Sequence, residues 1–515
     1  MDTKAVLKNI KNKGILETLK IHKKRKGTDA ISPAKIKEEC AATVLSETIR
    51  AVITEDAKKA PLNDGEKAYF KILRSAGITL ALLRAISADN EKIHEAERIL
   101  CEIRKTDLKG INEDVLSDWN KRLIAVENGR LKRVLKKSFI KEVLPAVYAE
   151  NAKSKVKNRI LFIQPRQGLN QTFRYLFRKL EAEGIYEPVL FEFHRGDVSY
   201  AEHFLNAVEA VREMSCVKAV MLHESSDYLG YIDFRPETKV IQLWHGCGVI
   251  KHLGLTAAGT PGAKSLADYE EFPEYNKYDL VTICSEEQRW VFEDFMGKEK
   301  GDPVIKPWGM SRTDEFFDRK YVENCYKKLH SIIPESKDMR VILYAPTYRG
   351  RGGKRTAPDI LDISKFAESL SDDYILIIKH HQTVRELPEI PEKFRDSFAY
   401  DMTRGKGMDI NELMTVADIC ISDYSSVVFE YSIFERPIIF FMFDLEDYSD
   451  ERGMYYTYEE LSECGPVFKE NDEMIDYIKN IDERFDKEKV SRFKERFMSA
   501  CDGHSCERIL KFIES

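Results

Sequence analysis

Four short segments of the sequence combine residue types that suit proton transfer and the binding of phosphate groups, and each follows a short apolar run. In the first segment, the letters WHGCG place His245 before Gly246 and Gly248. A histidine has an ordinary pKa of about 6.5 and can accept a proton from a hydroxyl group, while glycines let the backbone approach a ligand closely. The segment predicts a general base at His245. The alternative is a structural histidine that hydrogen-bonds at the end of a strand.

The second segment reads SDYSS over residues 422–426, between an apolar run and a helix-forming stretch. Ser425 and Ser426 would lie in the first turn of that helix, where backbone N–H groups have no partner within the helix and the helix dipole favours an anion. Hydroxyl groups beside these amides make a phosphate cradle. The alternative is a plain helix cap, because Ser and Asp are preferred capping residues.

The third and fourth segments bring cations to the same predicted sheet. Lys379, His380 and His381 end an apolar run, and Lys and His suit a pyrophosphate through charge and hydrogen bonds. The alternation of side chains along a strand predicts that only one of the two histidines faces the site, while the other packs. Arg349 follows the run 341–345 and is expected within reach of an anion.

Two series of short apolar runs position these segments. The first comprises 160–164, 188–193, 219–223, 240–243 and 280–284, and the second comprises 341–345, 374–379, 418–422 and 438–441. Short apolar runs that alternate with helical stretches indicate buried parallel strands in βαβ units, and ligands of such sheets bind at the carboxyl ends of the strands. We therefore predict an α/β, GT-B-like protein with two Rossmann-type domains facing a cleft, preceded by an α-helical N-terminal region.

The change of pattern near residue 155 predicts three units, which span 1–155, 156–320 and 321–515. Within the first unit, the apolar spacing of residues 6–19 and the basic run at 22–26 are typical of a basic amphipathic helix, which can lie on an anionic bilayer. Its alternative is a solvated helix packed on the protein. Docking to a membrane or to a partner is therefore one of two interpretations of this region.

Bulk composition excludes several classes of protein. The 515 residues are 43% hydrophobic and 33% charged, and their net charge of -6 gives no case for nucleic-acid binding. The start of the chain has no secretory signal, and no apolar run approaches the roughly 20 residues of a spanning helix, so we expect a cytoplasmic protein. The 10 cysteines form no CxxC pair and are expected to be buried free thiols. No acidic cluster has the spacing of a metal site, so we expect no cofactor and no requirement for a divalent metal.

Five motifs follow one another along the chain: WHG at 244–246, YAPTYR at 344–349, KxH at 379–381, SDYSS at 422–426, and a stretch from Glu435 to Gly453 that begins ERPIIF. Together they resemble the CDP-glycerol:poly(glycerophosphate) glycerophosphotransferase family, the teichoic-acid polymer transferases, over roughly residues 159–512. The chain departs from the family pattern at Ser311 and Gln382, where many members carry Pro.

The resemblance implies a reaction. The domain 321–515 would hold CDP-glycerol or CDP-ribitol, and the domain 156–320 would receive a lipid-linked cell-wall or capsular polymer. A hydroxyl of that polymer would attack the β-phosphorus, and CMP would leave. A lipid-linked acceptor also implies a peripheral position on the inner face of the cell membrane.

The resemblance further implies roles for individual residues. His245 would be the base, while His381 and Lys379 would stabilise the phosphates as charge moves to CMP. The other implied donor contacts are Ser425, Ser426, Asp423 and Arg349, with Asp423 positioning its loop. The implied polyol or acceptor contacts are Arg452, Lys251, Arg312 and Asp314.

Two other functions stay open on the sequence. One is a GT-B glycosyltransferase that uses a nucleotide sugar, although it would leave SDYSS and KxH together unexplained. The other is a non-catalytic assembly protein that docks through its helical region. The sequence does not distinguish glycerol from ribitol, a primase from a polymerase, or one oligomeric state from another.

Overall fold

The computed structural model describes residues 64–515 apart from 87, 89, 108–110, 128, 166–167, 194–197, 351–354, 382–383, 385, 405–406 and 446–452. The basic amphipathic segment at 6–26 and Arg452 therefore lie outside the described residues. Within the described part, no helix combines the length and the apolar character needed to cross a bilayer.

The described chain begins with an all-helical region. Its helices are α1 (Asp64–Ala85), α2 (Asn90–Lys105), α3 (Glu113–Val126), α4 (Gly129–Ser138) and, after a π-helical turn at Phe139–Val143, α5 (Leu144–Asn151). Asn112 caps α3 by accepting a hydrogen bond from the N–H of Val115 at 3.0 Å, as expected of an asparagine before a helix.

The first sheet follows directly. Its elements are β1 (Arg159–Gln164), α6 (Gln171–Glu183), β2 (Glu187–Glu192), α7 (Tyr200–Met214), β3 (Ala219–Leu222), β4 (Lys239–Gln242), α8 (Leu266–Glu271), β5 (Leu280–Thr282), α9 (Arg289–Met296) and β6 (Ile305–Lys306). All neighbours are parallel, in the order β2-β1-β3-β4-β5-β6. The apolar runs form strands here because helices cover both faces of the sheet.

Helix α10 (Arg319–Ile332) leads to the second sheet. The elements there are β7 (Arg340–Tyr344), α11 (Ile363–Leu370), β8 (Tyr374–Ile378), β9 (Ala399–Asp401), α12 (Ile410–Val416), β10 (Ile419–Ser422), α13 (Val427–Ser432), β11 (Ile438–Phe441), α14 (Tyr458–Leu461) and β12 (Val467–Phe468). The order is β12-β11-β10-β7-β8-β9, again all parallel. Its strand order reverses between β7 and β10, which is where doubly wound sheets bind ligands.

Four helices complete the chain: α15 (Asn471–Lys479), α16 (Ile481–Arg484), α17 (Lys487–Met498) and α18 (Ser505–Glu514). Helix α18 returns to the first sheet, where Cys506 and Ile509 share a core with Ile160 and Phe162 of β1. The predicted unit 321–515 assigned this helix to the second domain. The helix instead packs on the first sheet and completes the first Rossmann-type domain. The predicted fold is otherwise the observed one: two Rossmann-type domains preceded by helices.

The helical region packs on the first domain rather than standing apart. Lys71 of α1 donates hydrogen bonds from Nζ to Asn206 Oδ1 at 2.9 Å and to Glu209 Oε2 at 3.0 Å, both on α7. Buried side chains of the helices, such as Ile72 and Leu83, belong to the same apolar core as β1 and α7. The helical region is therefore fixed relative to the carboxyl edge of the first sheet.

Candidate active site

The WHG segment turns sharply where β4 ends. Trp244 has a φ of 59°, a left-handed conformation that costs a non-glycine residue about 1–2 kcal/mol. The turn is held by the backbone N–H of Trp244, which donates to Oε1 of Gln242 at 2.9 Å. The indole packs against the rings of Phe292 and Phe295 in α9. The strained turn leaves the next residue, His245, exposed at the edge of the sheet.

His245 is oriented by the neighbouring strand. Its Nδ1 lies 3.1 Å from the carbonyl oxygen of His223, which follows β3. A carbonyl oxygen only accepts, so Nδ1 carries the proton and the Nε2 of the neutral ring carries the lone pair. The ring can therefore accept a proton at Nε2.

Arg312 connects the His245 segment to the second domain. Its Nη1 donates to the carbonyl oxygen of His245 at 3.1 Å, and its Nη2 donates to Oδ1 of Asn411 in α12 at 2.8 Å. Glu430 of α13 lies 3.5 Å from the same Nη2. Burial alone would lower the pKa of Arg312, but the Glu430 carboxylate and the other acidic groups around it together raise the net pKa. Arg312 is therefore a buried cation that links the two domains through these contacts, and its predicted contact with a polyol or acceptor stays a prediction.

Gly248 lets the same segment touch the helix that follows SDYSS. A Cβ atom at Gly248 would lie 2.3 Å from two ring carbons of Phe429, which is fully buried in α13. No side chain fits at that distance, so the glycine is required for the approach of the two domains. A Cβ atom at Gly246 would meet only the carbonyl oxygen of Gly248, 4.0 Å away.

Asp423 joins two loops at the switch point of the second sheet. It accepts hydrogen bonds from the backbone N–H of Thr347 at 2.8 Å and from Arg349 Nη1 at 3.1 Å. Arg349 also forms a two-pronged pair with Asp444, at 2.7 and 3.0 Å. Burial raises the pKa of Asp423, although the guanidinium beside it acts in the opposite direction. Arg349 therefore donates to two carboxylates and a carbonyl, and these contacts link the loops that follow β7 and β10.

The serine pair begins α13. Ser425 Oγ accepts from the backbone N–H of Val427 at 3.3 Å, and Ser426 occupies the cap position with no side-chain cap hydrogen bond. Both serines are half-buried. Ser425 thus accepts from one backbone N–H at the start of the helix, as a capping residue does. Both serines directly follow the turn that Asp423 anchors.

The two histidines after β8 differ in burial, as the alternation of side chains predicted. His380 is buried, and its backbone N–H donates to Oγ1 of Thr403 at 3.1 Å. His381 is exposed, with its ring centroid 5.3 Å from that of Tyr348. Burial lowers the pKa of His380, which lines a cavity of about 210 Å³ with Tyr344 and Asp401.

The ammonium group of Lys379 hydrogen-bonds to two backbone carbonyl oxygens. Its Nζ donates to the carbonyl oxygens of Met402 at 2.5 Å and Met408 at 2.9 Å. Burial lowers the pKa of this ammonium group. The lysine therefore fixes the loop that lies beyond β9.

Three further predicted contacts have different outcomes. Asp314 is buried and caps α18 by accepting from the backbone N–H groups of Ser505 at 3.1 Å and Cys506 at 2.7 Å, and its predicted contact with the acceptor stays a prediction. Lys251 forms an antiparallel bridge with Met454 of the second domain. Arg452, two residues before Met454, lies outside the described residues.

A large cavity opens beside His245, and no sequence motif pointed to it. It has a volume of about 1120 Å³ and reaches from Trp244 and His245 to Lys132 and Lys136 of α4. Lys132 and Lys136 belong to the helical region, whose local sequence carries no ligand-binding pattern. Among residues 64–515, within the described ranges, no group of three or more His, Cys, Asp or Glu side chains is placed to hold a metal ion.

Two parallel sheets whose loop edges are joined through Arg312 define a protein of the two-Rossmann, GT-B type. Residues 147–515 match the sequence model of CDP-Glycerol:Poly(glycerophosphate) glycerophosphotransferase. The chain belongs to this family, as its five motifs predicted.

Relatives support the same placement. The chain is 31% identical over 346 residues to a teichoic acid poly(ribitol-phosphate) polymerase of Bacillus spizizenii, which covers 64% of this chain and 54% of the polymerase. It is 30% identical over 354 residues to a teichoic acid ribitol-phosphate primase of the same organism, which covers 67% of this chain and 88% of the primase. The chain thus spans about half of the polymerase but most of the primase.

The fold is also that of a solved structure. The wall teichoic acid polymerase TagF superimposes with a TM-score of 0.58 and 21% identity, over 83% of this chain and 98% of that one. At this identity the likeness concerns the fold. The structural superposition covers a larger part of this chain than residues 147–515, which the family model matches.

Proposed function

We propose that the chain transfers glycerol phosphate or ribitol phosphate from a CDP-linked donor to a hydroxyl of a cell-wall or capsular polymer and releases CMP. The observation that carries the proposal is the link through Arg312, which ties the backbone of His245 to α13, the helix that the SDYSS loop begins. The segment of the proposed histidine base is thereby tied to the helix that follows the proposed phosphate-binding loop.

The reaction balances as follows. The oxygen of the acceptor hydroxyl forms a bond to the β-phosphorus, the bond between that phosphorus and the oxygen of CMP breaks, and His245 Nε2 takes the hydroxyl proton. The hydrogen bond from Nδ1 to the His223 carbonyl stabilises the imidazolium that forms. CMP carries away the negative charge of the leaving oxygen.

The donor phosphates lie, in this proposal, at the switch point of the second sheet. Ser425, Ser426 and His381 contact them, because these side chains are exposed or half-buried at the loops after β8 and β10. Arg349, Asp423 and Lys379 position those loops through the pairs described above. In this proposal Arg349, Asp423 and Lys379, which were predicted to contact the donor phosphates, instead position the loops that do so.

The acceptor is proposed to be lipid-linked, which places the protein peripherally on the inner face of the membrane. The support is the basic amphipathic pattern of residues 6–26. Co-sedimentation of the full chain with vesicles containing anionic lipid, compared with neutral vesicles, tests this part separately. Equal recovery with both kinds of vesicle would reject it.

The reaction is proposed to need no divalent metal. CMP release measured with and without EDTA checks this directly. A loss of activity in EDTA that Mg²⁺ restores would show that a metal ion takes part.

The deciding experiment measures nucleotide release from a panel of donors with a short synthetic acceptor. CDP-glycerol or CDP-ribitol is expected to yield CMP only when the acceptor is present, and the better donor identifies the polyol. Consumption of UDP-sugars instead would indicate a glycosyltransferase. Binding of a CDP-polyol without turnover on any acceptor would indicate a non-catalytic assembly protein.

A further inference from the structure

We propose that the cavity beside His245, here called the His245 cavity, binds a neutral sugar ring of the acceptor, and that helix α4 forms one wall of it. The inference rests on the proposed function, because it identifies the part of the acceptor that lies next to the reacting hydroxyl. It also gives the helical region a direct role in acceptor choice.

The position of the His245 cavity connects it to the chemistry. Trp244 and His245 line it together with Lys132 and Lys136 of α4. Its volume of about 1120 Å³ is slightly above the roughly 300–1000 Å³ typical of small-molecule sites. There is room for a sugar unit with the hydroxyl that follows it.

The wall formed by α4 is held in place by ion pairs with α8. The carboxylate of Glu271 lies 2.9 Å from Lys137 Nζ, 2.9 Å from Arg133 Nη2 and 3.2 Å from Lys141 Nζ. Lys137 is almost fully buried, so its pair with Glu271 is protected from solvent screening. These ion pairs therefore fix the position of α4 relative to the first domain, and the cavity lies between the two.

The charges that line the cavity cancel. Three ammonium groups (Lys132, Lys136, Lys264) face three carboxylates (Glu224, Asp227, Glu274). Asp227 lies 2.5 Å from Lys136 Nζ and 3.3 Å from Lys264 Nζ, and Lys264 also contacts Glu274. Lys136 and Lys264 are thus paired with carboxylates, while Lys132 lies over the ring of Tyr200, and a lining with equal numbers of both charges does not concentrate a polyanion. A poly(polyol phosphate) segment is therefore a poor occupant.

The remaining lining is aromatic and hydroxylic. Tyr200, Tyr228, Tyr269 and Tyr275 line the cavity together with Trp244. A pyranose ring has an apolar face of C–H groups and a rim of hydroxyls. Tyrosine rings suit the apolar face, and the paired carboxylates and ammonium groups suit the hydroxyls as acceptors and donors. This combination matches a neutral sugar better than either a phosphate chain or a lipid tail.

The helical region also sets the position of one of these rings. Glu127, at the end of α3, accepts from the backbone N–H of Tyr200 at 2.8 and 2.9 Å. Lys132 lies over the Tyr200 ring, with Nζ 4.9 Å from the centroid. Glu127 and Lys132, which both belong to the helical region before β1, therefore position Tyr200 in the lining of the cavity.

Binding is tested first on the full chain without any donor. Saturation-transfer NMR is run with neutral mono- and disaccharides in gluco, galacto and manno configurations, with and without a 2-acetamido group, and with tri(glycerol phosphate). Binding of at least one sugar, lost in Tyr269→Ala, is the expected result. Binding of tri(glycerol phosphate) alone, or of nothing in the panel, overturns the inference whether or not the protein turns over a CDP-polyol.

Kinetics then separate the cavity from the catalytic step. With an acceptor that carries a sugar beside the reacting hydroxyl, Tyr269→Ala and Lys132→Ala are expected to raise the acceptor KM roughly three- to ten-fold, the loss expected for one aromatic or cation–π contact. The donor KM is expected to stay unchanged. Tyr400→Ala on β9 and Lys121→Ala on the exposed side of α3 are the matched controls. Equal effects on a sugar-free acceptor overturn the inference.

Discussion

The ring of His245 is fixed by a backbone group, because its Nδ1 lies 3.1 Å from the carbonyl oxygen of His223. Many catalytic histidines are oriented by a carboxylate, whereas here the neighbouring parallel strand supplies the acceptor. The pairing of β3 with β4 thus decides which ring nitrogen is basic. Sheet register therefore sets the ring orientation of the residue proposed as the base.

Substitution of Gly248 by Ala is expected to disrupt the junction of the two domains. The new methyl group would meet the ring of Phe429 at 2.3 Å, and overpacking of this kind costs about 1–3 kcal/mol. Gly246→Ala is the control, since its methyl group has open space. Urea unfolding measures both, and the double variant Gly248→Ala with Phe429→Leu should regain part of the loss. Equal stability of the two glycine variants would contradict the described contact.

Arg312→Lys is expected to lower the free energy of unfolding by about 1–3 kcal/mol, because one ammonium group cannot replace the forked contacts to His245, Asn411 and Glu430. Arg319→Lys, in an exposed pair with Glu323, should change it by less than about 0.5 kcal/mol. Chemical denaturation followed by CMP-release kinetics makes the comparison. Unchanged stability with a raised acceptor KM would instead support the polyol contact that the resemblance implied.

Asp314→Ala is expected to destabilise the docking of α18 by about 1–2 kcal/mol, since two backbone N–H groups in a buried place lose their acceptor. Asp486→Ala removes an exposed cap from α17 and should cost less. Thermal unfolding of both variants tests the difference. The KM values for donor and acceptor should not change in the Asp314 variant, and a selective rise in either would contradict a purely structural role.

Glu127 should make stability depend on pH. Burial raises its pKa to about 7 from the ordinary 4.5, against the effect of the backbone N–H donors of Tyr200 and Ala201. The folded state therefore binds the proton more tightly, so this contribution to stability is complete below pH 4.5 and is lost as the pH rises through about 7. Glu127→Gln keeps an acceptor for the Tyr200 N–H.

The free energy of unfolding of Glu127→Gln, measured relative to wild type between pH 4 and roughly 8, is expected to rise across this window and then level off. A constant difference would mean that Glu127 titrates alike in the folded and unfolded chain. Glu142→Gln on the neighbouring helical segment provides the control for a general pH effect.

The long strands could be predicted because each is a continuous apolar run, such as 374–378 in β8, and burial on both faces requires that composition. The edge strands β6, β9 and β12 were missed, since two or three residues carry no pattern. The return of α18 was missed because its cap, Asp314, lies 191 residues before Ser505.

The candidate site shows the same difference between features with a local sequence pattern and features that depend on distant residues. His245, His381, Ser425 and Ser426 could be proposed from the sequence because their motifs are local. The supporting roles of Arg312 and Asp423 depend on partners far along the chain, and Asn411 is 99 residues from Arg312. The wall of the His245 cavity from α4 arises only from packing, so no stretch of sequence could indicate it.

The most direct test of the central claim is acceptor-dependent CMP release by His245→Asn. The Asn amide can still donate to the His223 carbonyl, but the base at Nε2 is gone. We expect kcat to fall roughly 10²- to 10⁴-fold, the affinity for the CDP-polyol measured by calorimetry to be unchanged, and His504→Asn, an exposed control, to behave as wild type. A kcat within a few-fold of wild type in His245→Asn would contradict the role of His245 as the base and the account built on it.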